Sequence, residues 1–159
     1  MKTIQANHLS KENFTPFGRY YKIIDGTPRT GIGNWEAWST SEPLINDVAN
    51  FGITEVAGLP YIVDSMESHK RTEEAIIPGN KAIVVALATT NMDSKGANPA
   101  DIQAFIIKPG EAVVIKKGIW HDACRCADGN SCFYYFLAHS LDPAIFIPVM
   151  GEPVIVELA

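Results

Sequence analysis

No apolar run in this chain approaches the roughly 20 residues that a membrane-spanning helix needs. The longest, Ala82 to Ala88 and Cys132 to Ala138, cover seven residues each. Basic residues are also few: 13 Lys and Arg stand against 18 Asp and Glu, a formal charge of −5. That balance leaves no broad cationic face for nucleic acid or for an anionic membrane surface. Cysteine occurs three times, at 124, 126 and 132. An odd number, clustered late in the chain, excludes a disulfide framework and fits a reducing, cytoplasmic setting. The opening MKTIQANHLSKEN has no apolar stretch, so no secretory signal is expected. No internal repeat, linker or low-complexity tract interrupts the sequence.

What is present is a chain of 159 residues, 47% hydrophobic and 19% charged. That suits one domain over residues 1–159 with a real core and excludes a disordered chain. Short β-like runs recur about every ten residues between Gly and Pro breakers, with no competing 3.6-residue period. The expected strands are 18–24, 35–40, 51–56, 61–63, 81–89, 102–107, 111–115, 133–138, 145–149 and 154–156. The run Lys81-Ala-Ile-Val-Val-Ala-Leu-Ala-Thr89 is almost wholly apolar and reads as a strand buried on both faces. Ser10 is placed to cap a short helical turn. The expected fold is all-β, a small sandwich or barrel.

Chemistry gathers in two blocks. One is Glu67-Ser-His-Lys-Arg-Thr-Glu-Glu74; the other is Gly118-Ile-Trp-His-Asp122. Two imidazoles plus carboxylates, converging inside a barrel, suit a divalent ion such as Zn, Fe, Mn or Ni. If the first block is a strand, His69, Arg71 and Glu73 share one face and Glu74 the other. A bulge or turn there would change which glutamate points inward.

These blocks resemble the two motifs of the cupin superfamily. The first cupin motif has two histidines flanking one residue, then a glutamate four or five positions on. His69 takes the second histidine position, Glu73 or Glu74 the glutamate, and Glu67 replaces the first histidine. The second motif is matched from Gly110 through Lys116-Lys117-Gly118 to His121, with Lys116 in place of a proline. Within the superfamily the chain is similar to the ureidoglycolate lyases, also called ureidoglycolate hydrolases. The matching features are Leu9-Ser10-Lys11-Glu12-Asn13-Phe14 leading to Gly18, then Glu67-Ser68-His69, then Glu74-Ala75-Ile76-Ile77-Pro78, and lastly Gly118-Ile119-Trp120-His121. They are spread over residues 9–138.

The resemblance implies a single-domain cupin-type jelly roll that splits ureidoglycolate into glyoxylate and urea, a step of purine (allantoin) breakdown. It implies a base at His121, Glu73 or Glu74, and a divalent metal (Zn, Mn, Ni or Fe) on His69, Glu74, His121 and Glu67. Arg71 and Lys81 are candidates for the substrate carboxylate, with Trp120 beside them. The partners expected are a small-molecule carboxylate and a second copy of the chain, with no nucleic acid and no membrane. Plainer readings stand beside these. His69 could be a solvated histidine, Glu73 and Glu74 surface charge, Trp120 packing, and Lys116-Lys117 a solvated turn. His121-Asp-Ala-Cys124-Arg-Cys126 could hold zinc or simply bury two thiols. His8 and His139 carry no pattern. A metal-dependent sugar or sugar-acid isomerase or epimerase, or a binding module without turnover, would use the same fold.

Overall fold

The computed structural model describes residues 1–28, 30–31, 33–139 and 144–159. Alternating side chains between Gly and Pro breakers give short strands and almost no helix. In chain order they are β1 (Lys2–Gln5), β2 (Asn7–His8), β3 (Gly18–Lys22), β4 (Asn50–Ala57), β5 (Tyr61–Val63), β6 (Ser65–Met66), β7 (Glu74–Pro78) and β8 (Ile83–Ala88). There follow β9 (Ile102–Ile107), β10 (Glu111–Ile115), β11 (Trp120–His121), β12 (Arg125–Cys126), β13 (Ser131–Ala138), β14 (Ile147–Pro148) and β15 (Val154–Glu157). One helical turn, α1 (Lys11–Phe14), starts at Ser10. Ser10 Oγ accepts from the Asn13 N–H at 3.1 Å, and Asn13 Oδ1 accepts from the Ser10 N–H at 2.8 Å. This reciprocal cap satisfies two end groups of a helix too short to stand alone. It seats Phe14 and Phe17 against Phe105.

Two sheets form the sandwich. One has the order β3-β10-β7-β13-β4 and the other β11-β8-β9-β2, with β12 also on β8. The first is antiparallel throughout. A third sheet, β1-β15-β5, lies beyond the second. The apolar run 81–89 explains this third layer. Ile83, Val85 and Leu87 belong to the cluster between the main sheets. Val84, Ala86 and Ala88 belong to another, with Val63, Val154 and Val156. A strand apolar on both faces needs a cover on each side, because every buried aliphatic side chain is worth about 1.5–3 kcal/mol.

Some expected elements differ. Residues 35–40 form no strand; only Thr30 and Ala37 pair, as an isolated bridge. Trp35 is half exposed, so the alternation there has no sheet to bury its apolar side. The strand from Gly18 stops at Lys22, because the N–H groups of Ile23 and Ile24 both turn to the Gly110 carbonyl, at 2.8 and 3.0 Å. Strands β1 and β2 carry mostly exposed polar residues, so no hydrophobic period announced them. The β1 pairing with β15 is parallel and joins the two ends of the chain.

Candidate metal centre

The first block is not a strand. Glu67 pairs with His121 in a two-residue bridge: its N–H donates to the His121 carbonyl at 2.9 Å, and its carbonyl accepts from the His121 N–H at 2.8 Å. The chain then leaves the ladder until β7 begins at Glu74. Within that excursion the Gly118 N–H donates to the His69 carbonyl at 2.8 Å and ties the two blocks together. Gly118 sits at φ +83°, and a Cβ there would stand 2.7 Å from Met92 Cε. The positive φ makes glycine the favoured residue here. The irregular path breaks the two-residue alternation, so Glu74 enters the barrel and Glu73 leaves it.

Glu67, His69, Glu74 and His121 converge, their ligand atoms all within 4.8 Å of one another. Glu74 Oε2 lies 3.1 Å from both His69 Nε2 and His121 Nε2. Glu67 Oε1 lies 3.7 and 3.6 Å from the same two nitrogens. Donors around one ion at about 2.1 Å stand roughly 3.0–3.4 Å apart in octahedral or tetrahedral arrays. The two Glu74 separations fall in that range and the two Glu67 separations lie about 0.2–0.3 Å above it. His121 Nδ1 is 3.1 Å from the Ile119 carbonyl. Donation of its N–H there leaves Nε2 for the cluster, the usual support of a metal-binding imidazole. Glu67 Oε2 and His69 Nδ1 are buried with no hydrogen-bond partner, a cost that a bound cation would offset. The four residues fit a divalent ion.

Without an ion, protons hold the cluster together. Burial alone pushes His121 down, but the Glu67 and Glu74 carboxylates outweigh it and carry His121 up to about 10. Burial likewise pushes Glu74 up, and hydrogen bonds from His121 and His69 reverse it, bringing Glu74 down to about 2.

The cluster borders a cavity of about 480 Å3 walled by Asn50, Thr54, Ile76, Tyr134, Phe136 and Phe146. His139 and Asp122 also reach it; Asp122 closes the second sequence block, whereas strand register brings in Asn50, Thr54, Tyr134 and Phe136, which no sequence spacing marks. The remaining candidates lie elsewhere. Glu73 is held by Arg19 in a two-pronged ion pair, 2.7 and 3.0 Å, on the outside of the barrel. Lys81 stands in the turn after β7, its Nζ beside Gly129, at the far end of that strand from Glu74. Neither is part of the cluster. Arg71 lines a second cavity of about 450 Å3 with Lys70, Met92, Asp93 and Trp120, on another side of His69. Trp120 is buried, packs in the cluster beneath the third sheet, and its indole N–H donates to the Asn91 carbonyl at 3.3 Å. Cys124, Cys126 and Cys132 are buried, free thiols. Among the described residues no metal-holding group includes them. Burial raises Cys124 well above the usual thiol range, which makes it inert.

The adjacent glutamates therefore make opposite predictions. Glu73→Gln should cost no more than about 1 kcal/mol, the ordinary value of an exposed ion pair, and leave turnover and metal content within about twofold. Glu74→Gln should lose both. Metal analysis and urea unfolding of the two variants would check this; equal behaviour would be fatal to the assignment.

A two-sheet jelly roll with two histidines and two carboxylates gathered inside it defines a protein of the cupin type. A family model for ureidoglycolate lyase matches residues 1–144, and the chain belongs to that family. Curated relatives agree: a ureidoglycolate lyase of Pseudomonas paraeruginosa strain PA7 is 25% identical, covering 90% of this chain and 98% of its own. One of Pseudomonas fluorescens strain Pf0-1 is 23% identical over 86% and 92%. Among solved structures, a dTDP sugar isomerase from Desulfovibrio desulfuricans G20 matches with a TM-score of 0.49 and 9% identity, over 82% of this chain and 85% of its own. That likeness is too loose to bear on the reaction.

Proposed function

We propose that this protein is a lyase that cleaves ureidoglycolate to glyoxylate and urea. The observation that carries the reading is the Glu67, His69, Glu74 and His121 cluster bordering a cavity, in a chain of the ureidoglycolate lyase family. The hydroxyl proton leaves the carbinol carbon's oxygen, that oxygen forms the aldehyde C=O, and the C–N bond breaks. The departing nitrogen takes the bonding pair and one proton, so nothing is oxidised or reduced overall. Glu67, His69, Glu74 and His121 would hold a divalent ion, which when bound supplies a Lewis acid for the substrate hydroxyl and carboxylate. Glu74 is engaged by both imidazoles at 3.1 Å, whereas Glu67 stands further from them. A carboxylate oxygen of Glu67 or Glu74 not bound to the ion would accept the hydroxyl proton and pass it to the leaving nitrogen. Arg71 lines the neighbouring cavity, which shares His69, and is the candidate cation for the substrate carboxylate.

The test is glyoxylate release from racemic ureidoglycolate by the purified protein, as isolated and with Mn, Ni or Zn. Release that chelation abolishes and metal restores supports the reading. No release under any metal would overturn it, and a sugar-acid isomerase or a binding protein would take its place.

We also place the protein in the cytoplasm, where its three free thiols stay reduced, and pair it with a second copy. No helix among the described residues is long and apolar enough to cross a membrane. Strand β4 is a sheet edge whose outward Phe51 and Ile53 are largely exposed, Phe51 stacked on Tyr135 at 5.3 Å. Such a face invites a like partner. Light scattering should give twice the 17.4 kDa chain mass, and Phe51→Glu should return it to a monomer; a wild-type monomer would refute the pairing.

A further inference from the structure

Setting aside tyrosine and cysteine, the polar or charged residues buried among those described are His69, Thr72, His121 and Asp122. The two histidines belong to the cluster, and Asp122 borders its cavity. Thr72 does neither, yet it is only 2% exposed. Its hydroxyl is fully engaged. Oγ1 donates to the Glu73 carbonyl at 2.6 Å and accepts from the His139 N–H at 3.0 Å.

The ladder between β7 and β13 shows what those two bonds replace. Ala138 lies opposite Glu74, and Tyr134 opposite Pro78. One step beyond Pro78, the Gly79 N–H donates to the Phe133 carbonyl at 3.1 Å, so Gly79 and Phe133 are a hydrogen-bonded pair. Such pairs recur at every second residue of an antiparallel ladder. Followed back along the register, Glu73 and His139 are due to form one. There the His139 N–H would donate directly to the Glu73 carbonyl. Instead the Thr72 hydroxyl stands between the two groups, accepting from one and donating to the other. It holds them further apart than the about 2.9 Å of a ladder bond, and β7 begins only at Glu74.

The chain must turn back at that point. Five residues of strand span about 16 Å, yet His69 Nε2 lies 3.1 Å from Glu74 Oε2. The returning segment is pinned at one end by the Gly118 N–H on the His69 carbonyl, at 2.8 Å. Thr72 pins the other end. We propose that Thr72 is a positioning residue: its hydroxyl, wedged into the β7–β13 ladder, stops the strand at Glu74 and folds the chain back so that His69 meets that carboxylate. This rests on reading the cluster as the metal centre of the lyase. Thr72→Val keeps the shape of the side chain and removes the hydroxyl. The His139 N–H and the Glu73 carbonyl then pair directly or lose their partner, and residues 69–73 shift in either case. Loss of an outer support of this kind lowers metal affinity by about 10- to 100-fold.

Variants of the full chain test it. By calorimetry, Thr72→Val should bind Mn at least about tenfold more weakly than the wild type. With metal saturating, its kcat for ureidoglycolate should fall while KM changes little. Thr72→Ser keeps the hydroxyl and should match the wild type in both. Val85→Ala, which opens a cavity in the core on β8, should lower the urea midpoint without changing Mn affinity. That control separates positioning from a general loss of stability. Heteronuclear NMR of the metal-free protein supplies a readout that needs neither metal nor turnover. The His69 ring-nitrogen signals should shift in Thr72→Val and return in Thr72→Ser. Should the valine variant fail to fold, Thr72→Ala replaces it in every arm. Wild-type Mn affinity and unshifted His69 signals in Thr72→Val would overturn the proposal, as would a serine variant impaired like the valine. A wild-type protein that takes no Mn, Ni or Zn would reject the metal-centre reading alone. Shifted His69 signals would then still uphold the wedge, and unshifted ones would overturn it.

Discussion

His121→Ala is expected to lower glyoxylate release by at least about 10^3-fold and metal affinity by more than about 100-fold, with the sandwich retained. The imidazole is almost wholly buried. Its Nε2 is one of only two nitrogen donors in the cluster, within 3.1 Å of Glu74 and 3.6 Å of Glu67. Removing it takes away a ligand and leaves two buried carboxylates facing one imidazole. The fold should survive, because β11 is joined to β8 and to Glu67 through backbone groups that alanine keeps. His121→Gln, which preserves volume and polarity, should be nearly as inactive, separating the role of the nitrogen from that of packing. Circular dichroism, metal content and turnover together decide the matter. A folded alanine variant with more than a tenth of wild-type turnover would remove His121 from the site.

The metal-free protein should be most stable in mildly acid solution, and metal should change that. Glu74 is depressed to about 2 from its ordinary 4.5. Its stabilisation is therefore full above about pH 4.5 and lost as pH falls toward 2. His121 is raised to about 10 from 6.5. Its stabilisation is full below about pH 6.5 and fades as pH rises through 10. The two overlap between about pH 4.5 and 6.5, where the apoprotein's urea midpoint should peak. A cation competes with the His121 proton for Nε2. Metal binding at pH 7 should thus release about one proton, and the melting-temperature gain from metal should grow above pH 7. Calorimetry in buffers of different ionisation enthalpy measures the proton directly. A metal effect independent of pH, with no proton released, would mean that His121 is not displaced.

Much of the fold is legible in the residues themselves. The strands 102–107 and 111–115 coincide with β9 and β10, because each is an apolar run closed by Pro109-Gly110 or by Lys116-Lys117-Gly118. The run 81–89 declares a strand covered on both faces, and the third sheet supplies the second cover. The Ser10 cap is equally local. The polar strands β1 and β2 were not legible, since their pairing partners are at the other end of the chain or deep in its middle. Trp35 to Thr40 alternates like a strand, yet no edge is available to it.

The site divides the same way. Residue type and spacing singled out Glu67, His69 and His121, and narrowed the glutamate to a neighbouring pair. The choice of Glu74 over Glu73 depends on where β7 begins, and that is set by its partners β10 and β13 and by the bond from Gly118 to His69. Asn50, Thr54, Tyr134 and Phe136 join the cavity only because antiparallel register lays β4 beside β13 and β13 beside β7. The sequence by itself determined the strand-forming segments and the donor chemistry, since alternation and side-chain type are local properties. The tertiary structure decided which carboxylate faces the histidines, because a one-residue shift in a strand exchanges its two faces and only distant pairing sets that shift.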